Sequence, residues 1–189
     1  MGASTTRRPR ADALRNRQRL IDAAVAVFAE QGLDVAVAEV ARRAEVGTAT
    51  LFRNFPTKDD LIYAVIEARV TELLEVGKRA MEIEDPGEAF EQFLVGVCEL
   101  QVRDRGFFEA IHSRLIDEPG LMQCKKGMIG IAEQILARAQ AAGVVREDVG
   151  PEDIGFLISA AASREGNHAR YLRILLDGLR PVGASALPA

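Results

Sequence analysis

Histidine and cysteine are scarce in this chain, two of each among 189 residues, and where they fall removes most catalytic and metal chemistry. His112 and His168 share no metal-ligand spacing. Cys98 and Cys124 sit in apolar helical stretches and read as small buried hydrophobes with reduced thiols. There is no HExxH, no glycine-rich phosphate loop and no GxSxG elbow, so neither an enzyme nor a metal or cofactor is expected. No apolar run approaches about 18 residues and no signal-peptide core is present, which argues against a membrane or secreted protein and for a cytoplasmic one. Strand alternation bounded by turn signals is absent too, as are internal repeats and low-complexity tracts. What remains is helical periodicity from end to end, and the expected fold class is all-α.

The helices are bounded by clear punctuation. The first is expected over 11–31, with Leu14, Ile21, Ala24, Val25 and Phe28 on one stripe and Gly32 as a left-handed cap. A linking helix over about 58–83 follows, then helices near 86–104, 106–117, 121–142, 151–164 and 167–180. Breaks at Asp85-Pro86-Gly87, Pro119-Gly120 and Gly150-Pro151 separate them. Residues 1–10 lack apolar periodicity and read as a flexible basic arm; it is either a solvated tail or a segment whose Arg7, Arg8 and Arg10 enter a minor groove. Residues 181–189 read as a loose tail.

The net charge of −4 speaks against a polyanionic partner until its distribution is read. Up to Lys58 there are ten Lys and Arg against six Asp and Glu; the rest of the chain carries 14 against 22. A basic head on an acidic body fits nucleic-acid binding.

The head contains the most informative stretch, AVAEVARRAEVGTATLFRNF leading into PTKDDL. Val37, Val40, Ala41 and Ala44 stand at i, i+3, i+4 and i+7, an apolar face, while Glu39, Arg42 and Arg43 point outward. After the turn Glu45-Val46-Gly47 a second short helix offers Thr48, Ala49 and Thr50, anchored by Leu51 and Phe55. Small polar residues at that end allow close approach to a major groove. Thr57 with Asp60 three residues on forms a capping box that fixes Lys58 beside it.

The segments RLIDAAVAVFAEQGLD, EVARRAEV, TATLFRNFP and TKDDL resemble the TetR family of bacterial transcriptional regulators, closely over about the first 65 residues and beyond them only in helical layout. The resemblance implies an N-terminal three-helix, helix-turn-helix DNA-binding head over 11–57 and a C-terminal helical bundle for ligand binding and dimerisation over 58–180. It implies a DNA-facing set of Arg42, Arg43, Gly47, Thr48, Ala49, Thr50, Phe52, Arg53, Asn54 and Lys58, with Phe52, Asn54 and Lys58 along the phosphate backbone. This chain departs from the family at Ala36 and Val37 (hydroxyl residues), Glu45 (glycine), Phe52 (tyrosine) and Asn54 (histidine), which leaves fewer phosphate donors.

Two further features belong to the bundle. Ile154, Phe156, Leu157, Ile158, Ala160, Ala161 and Ala162 point nearly all round their helix, and Leu172, Leu175, Leu176 and Leu179 form a stripe on the next. Either both are buried within one monomer or, as the resemblance implies, residues 151–180 form a four-helix homodimer interface. Between residues 90 and 135, apolar faces carrying Phe93, Leu94, Val97, Phe108, Met128 and Ile131 converge, with Gln101 and His112 as their polar groups. That pattern suits a filled core and equally a cavity for a small apolar effector. The expected function is a ligand-responsive dimeric repressor on a palindromic double-stranded operator. The alternatives are a small-molecule or protein-binding module with weakened DNA binding, and a DNA-binding regulator without an effector.

Overall fold

The computed structural model describes residues 7–105, 119–163 and 166–181, and among them every regular element is an α-helix. In chain order these are α1 (Arg7–Gln31), α2 (Val37–Arg43), α3 (Thr48–Asn54), α4 (Lys58–Met81), α5 (Pro86–Arg103), α6 (Pro119–Ala141), α7 (Pro151–Ala162) and α8 (His168–Gly178). The helix expected over 106–117 lies outside the described residues. The chain forms two compact units, and the division falls within α4, between Arg69 and Val70.

In the first unit α1 packs on α2 and α3. Helices of seven residues are not stable alone; α2 and α3 exist because Val40, Ala41 and Leu51 are driven into the same apolar interior as Leu20, Ala24, Val27 and Phe28 of α1. Phe55, Leu61 and Val65 are buried in this unit as well. Gly32, at φ 78, ends α1 and donates its N–H to the Phe28 carbonyl at 3.0 Å, the left-handed cap the sequence predicts. Two expectations fail in α1. Residues 7–10, expected as part of a flexible arm, belong to α1; Pro9 falls in its first turn, where a missing N–H costs nothing. Leu14 shares the apolar stripe yet is 69% exposed, since burial along α1 begins only at Leu20.

In the second unit α5 packs on α6, α7 and α8. Its Phe90, Phe93, Leu94, Val97 and Cys98 share a core with Ile135, Leu136 and Ala139 of α6, Ile154, Ile158 and Ala161 of α7, and Leu172 and Leu179 at the end of the chain. Burial pushes the Cys98 thiol up, away from the reactive thiolate. Helix starts follow their signals: Asp85 accepts the Glu88 N–H at 2.7 Å with Pro86 in the first turn, and the Asp153 carboxylate accepts the Gly150 N–H at 2.8 Å before Pro151. Arg138 donates to the carbonyls of Met81 (3.3 Å), Ile83 (2.9 Å) and Glu84 (3.1 Å), satisfying acceptors that the end of α4 leaves open. Asp104 is buried, and Arg103 bonds it through Nε and Nη2 at 3.0 and 2.7 Å while also pairing with Glu72 of α4. These bonds hold the guanidinium firmly charged, its pKa raised.

Close packing of α4 depends on glycine. A Cβ on Gly77 would fall 2.4 Å from Cγ1 of Ile131, and one on Gly96 of α5 2.6 Å from Cγ1 of Val76. Gly77→Val is therefore expected to lower unfolding stability by about 1–3 kcal/mol in chemical denaturation, overpacking outweighing the few tenths gained from helix propensity. Adding Ile131→Ala should recover part of the loss. Strictly additive losses would show that the contact is not the cause.

Candidate nucleic-acid interface

The motif is built from its turn outward. α2 starts at Ala36 with no side-chain cap and ends at Ala44. The chain then reverses through Glu45, which has φ 55, the one positive value at a non-glycine residue among those described. At a position where glycine would be relaxed this costs about 1 kcal/mol. The Val46 N–H reaches the Ala41 carbonyl at 3.0 Å, and Gly47 starts α3, its carbonyl accepting from Thr50 N (2.8 Å) and Leu51 N (3.1 Å). Gly47 itself is in extended backbone and nothing lies near its absent Cβ, so here glycine serves by being small on an exposed edge.

α3 turns Leu51 inward, with Phe55 just beyond it, and leaves Thr48, Ala49, Phe52 and Arg53 exposed. Phe52 is 46% exposed and places an aromatic ring on the same outward face. Arg53 Nη2 donates to Thr50 Oγ1 at 2.8 Å, so the half-buried Thr50 orients Arg53. The Asn54 amide donates to the Thr50 carbonyl at 2.8 Å and closes its own helix instead of pointing outward. Beside α3, Thr57 and Asp60 form the expected reciprocal cap: Thr57 N–H to Oδ2 at 2.9 Å, Asp60 N–H to Oγ1 at 3.1 Å. Lys58 opens α4 half-buried.

Arg42 and Arg43 are already partnered. Arg42 forks onto Glu39 at 2.8 and 2.5 Å, and that hydrogen bond holds the Glu39 carboxyl below its usual range. Arg43 reaches across to Glu30 on α1. Two arginines of α1, which entered the sequence analysis only within the count of basic residues, belong to the same surface. Arg19 donates to Glu45 at 3.0 Å, and Arg17 lies 5.1 Å over the Phe55 ring. Periodicity held a signal for Arg17, which continues the buried stripe of Leu20 and Ala24 by one turn and so must lie along the head. Nothing local announces the Arg19–Glu45 pair.

The second unit treats its expected site residues differently. Phe93, Leu94 and Val97 are 5% exposed or less inside the core, and Gln101 and Ile131 are half-buried. Phe108 and His112 lie outside the described residues, as does the side chain of Met128. Space occurs instead on the other side of α5, where a cleft of about 410 Å3 between α4 and α5 is lined by Val76, Arg79, Ala80, Gln92, Val95 and Glu99 among others. A second, of about 290 Å3, shares Val76 and Arg79 and reaches Leu100 and Arg103. Of the expected lining residues that are described, none borders either. On α7 and α8, Ile154, Ile158, Ala161 and Leu172 face the core, whereas Phe156 is 75% and Ile174 56% exposed. Among the described residues no cluster of His, Cys, Asp and Glu could hold a metal, and no helix is long and apolar enough to cross a membrane.

Comparison with known proteins falls on both units. Residues 20–65 match the model of bacterial regulatory proteins of the TetR family, and residues 85–181 that of the C-terminal domain of SbtR-like transcriptional regulators. A TetR transcription regulatory protein from Mycobacterium vanbaalenii is 36% identical, superimposes with a TM-score of 0.69, and is covered over 98% of its chain by 90% of this one. A TetR transcriptional regulator from Streptomyces coelicolor is 29% identical with a TM-score of 0.68, over 88% of this chain and 99% of that one. An HTH-type transcriptional regulator of Staphylococcus aureus is 39% identical over 59 residues, 31% of this chain; the match spans about a third (32%) of that relative's length.

Proposed function

Because this chain belongs to the TetR family of bacterial transcriptional regulators, we propose that it is a homodimeric repressor that reads a palindromic operator with α3 and releases it when a small molecule binds the second unit. The observation that carries the DNA-binding part is the outward set Thr48, Ala49, Phe52 and Arg53 on a short helix whose other face is locked by Leu51 and Phe55. Thr48 and Ala49 are small enough for close approach to base edges, and the orientation of Arg53 is fixed by Thr50. Phe52 and Lys58 serve the phosphate backbone.

Selection from a random duplex pool tests this reading; a purified protein that enriches no sequence at low salt would sink it. Lys58→Ala should weaken operator and random duplex alike and flatten the salt slope by about 0.9, because a phosphate contact carries no sequence information. Thr48→Ala should instead change which bases are enriched. A Lys58 variant that altered base preference while keeping the salt slope would reverse these assignments.

For the effector, the clefts along α4 and α5 support a site reached through Val76, Arg79 and Val95. Phe93, Leu94 and Val97 would then stay in the core on the opposite side of α5 and support that helix from behind. α4 runs unbroken from Lys58 to Met81, so whatever tilts its second half also moves Lys58. A ligand acts on that helix only through its difference in affinity between two arrangements, about 1.4 kcal/mol for a tenfold preference.

A further inference from the structure

We propose that Glu45 sets the DNA affinity of the head by holding Arg19, and that duplex binding transfers the Arg19 guanidinium from the Glu45 carboxylate to a backbone phosphate; this rests on the DNA-binding reading above. Glu45 occupies a left-handed backbone position that glycine would take without strain, and its side chain is 81% exposed. Neither the turn nor the core needs a glutamate there. What this residue contributes is a charge, two positions before Gly47 begins the exposed helix α3.

The charge has one drawn partner. Arg19 comes from α1, 26 residues earlier, and its Nη2 meets Glu45 Oε2 at 3.0 Å. The bond brings a guanidinium to the rim of the candidate interface and neutralises it there. Arg19 is itself 52% exposed, so the pair lies in water and is weak. A phosphate offers the planar guanidinium a two-pronged partner of higher charge, and the exchange is downhill once DNA is near. It leaves the Glu45 carboxylate facing a polyanion. The residue therefore lowers affinity for every duplex, and the cation it takes up offsets the counterion released at the phosphate.

The test compares wild type, Glu45→Gln, Glu45→Gly, Arg19→Gln and the double variant Arg19→Gln/Glu45→Gln, with operator and random duplexes over a series of salt concentrations. Glu45→Gln keeps the size and turn of the residue and should tighten binding to both duplexes by about two- to fivefold at low salt, the range of a single exposed charge contact. The plot of log affinity against log salt should steepen by about 0.9. Glu45→Gly should show the same gain together with a raised melting temperature. Against Arg19→Gln alone, the double variant should gain clearly less, because only the repulsion of a bare carboxylate is left to remove. Unchanged affinity and slope in Glu45→Gln overturn the proposal. So does a gain equally large without Arg19, which would be plain repulsion, or one confined to Glu45→Gly, which would be backbone strain. If neither wild type nor Glu45→Gln enriches any sequence from a random pool, the DNA-binding reading itself fails; if both enrich the same operator with equal affinity and slope, only the transfer fails.

Discussion

Phe156→Asp is expected to sediment as a monomer at micromolar concentration and to lose operator affinity by about 10²–10⁴-fold, the range that linking two binding heads supplies. Phe156 is 75% exposed on α7, and the residues that share its surface, Gly155, Ser159 and Ala160, are small and exposed too. A second helix laid on this face could come close, and Ile174 of α8 offers another exposed apolar side chain. Covering one such side chain contributes about 1.5–3 kcal/mol, and a two-fold axis counts each contact twice. Two linked heads require half-sites about 34 Å apart, or a multiple of that distance, so the operator should be a near-palindrome. Since Phe156 packs on little within its own chain, circular dichroism and melting should stay close to wild type. A folded monomer that binds the operator as tightly as the parent would overturn the dimer, and a variant that remains dimeric would move the interface elsewhere.

How much of this was legible beforehand depended on the range of the interaction. Signals within four residues came through intact: the Thr57–Asp60 box, the helix starts at Pro86 and Pro151, Gly32 after α1, and the turn at Glu45. The i,i+3 pair Glu39–Arg42 was open to the same reading. Arg43–Glu30 and Arg19–Glu45 span 13 and 26 residues and exist only because α1 packs on α2 and the turn, so the outward arginines could be read as free when they are partnered. Leu14 shows a different limit. Period places it on the buried stripe, but whether a neighbour reaches that turn is a matter of how far α2 and α3 extend. In the second unit, three converging apolar faces produce one pattern for a core and for a cavity, and only volume separates them. With α6, α7 and α8 all packed on one side of α5, Phe93, Leu94 and Val97 became core and the open space fell on the other side.

Phe55→Ala should cost the head about 3–5 kcal/mol of stability and with it DNA binding, while the dimer persists. Phe55 is 2% exposed, follows α3 directly, and ties its N–H to the Leu51 carbonyl at 2.8 Å. A seven-residue helix has little stability of its own, so the aromatic ring beneath it and Leu51 together fix where Thr48, Ala49 and Arg53 stand. The ring also carries the half-buried Arg17 guanidinium, but such a cation–π contact is worth only about 1 kcal/mol. The magnitudes therefore separate the two roles. Arg17→Ala should lower head stability by less than about 1 kcal/mol, whereas Phe55→Ala removes a packed ring and leaves a cavity. Because α7 and α8 belong to the other unit, unfolding of the head should appear as a separate, earlier transition, with sedimentation still reporting a dimer below it. Phe55→Leu keeps most of the volume and should retain operator binding with a loss below about 1.5 kcal/mol. If Phe55→Ala instead loses less than 1 kcal/mol and binds the operator normally, α3 is held by contacts other than this ring, and the account of how the reading surface is positioned is wrong.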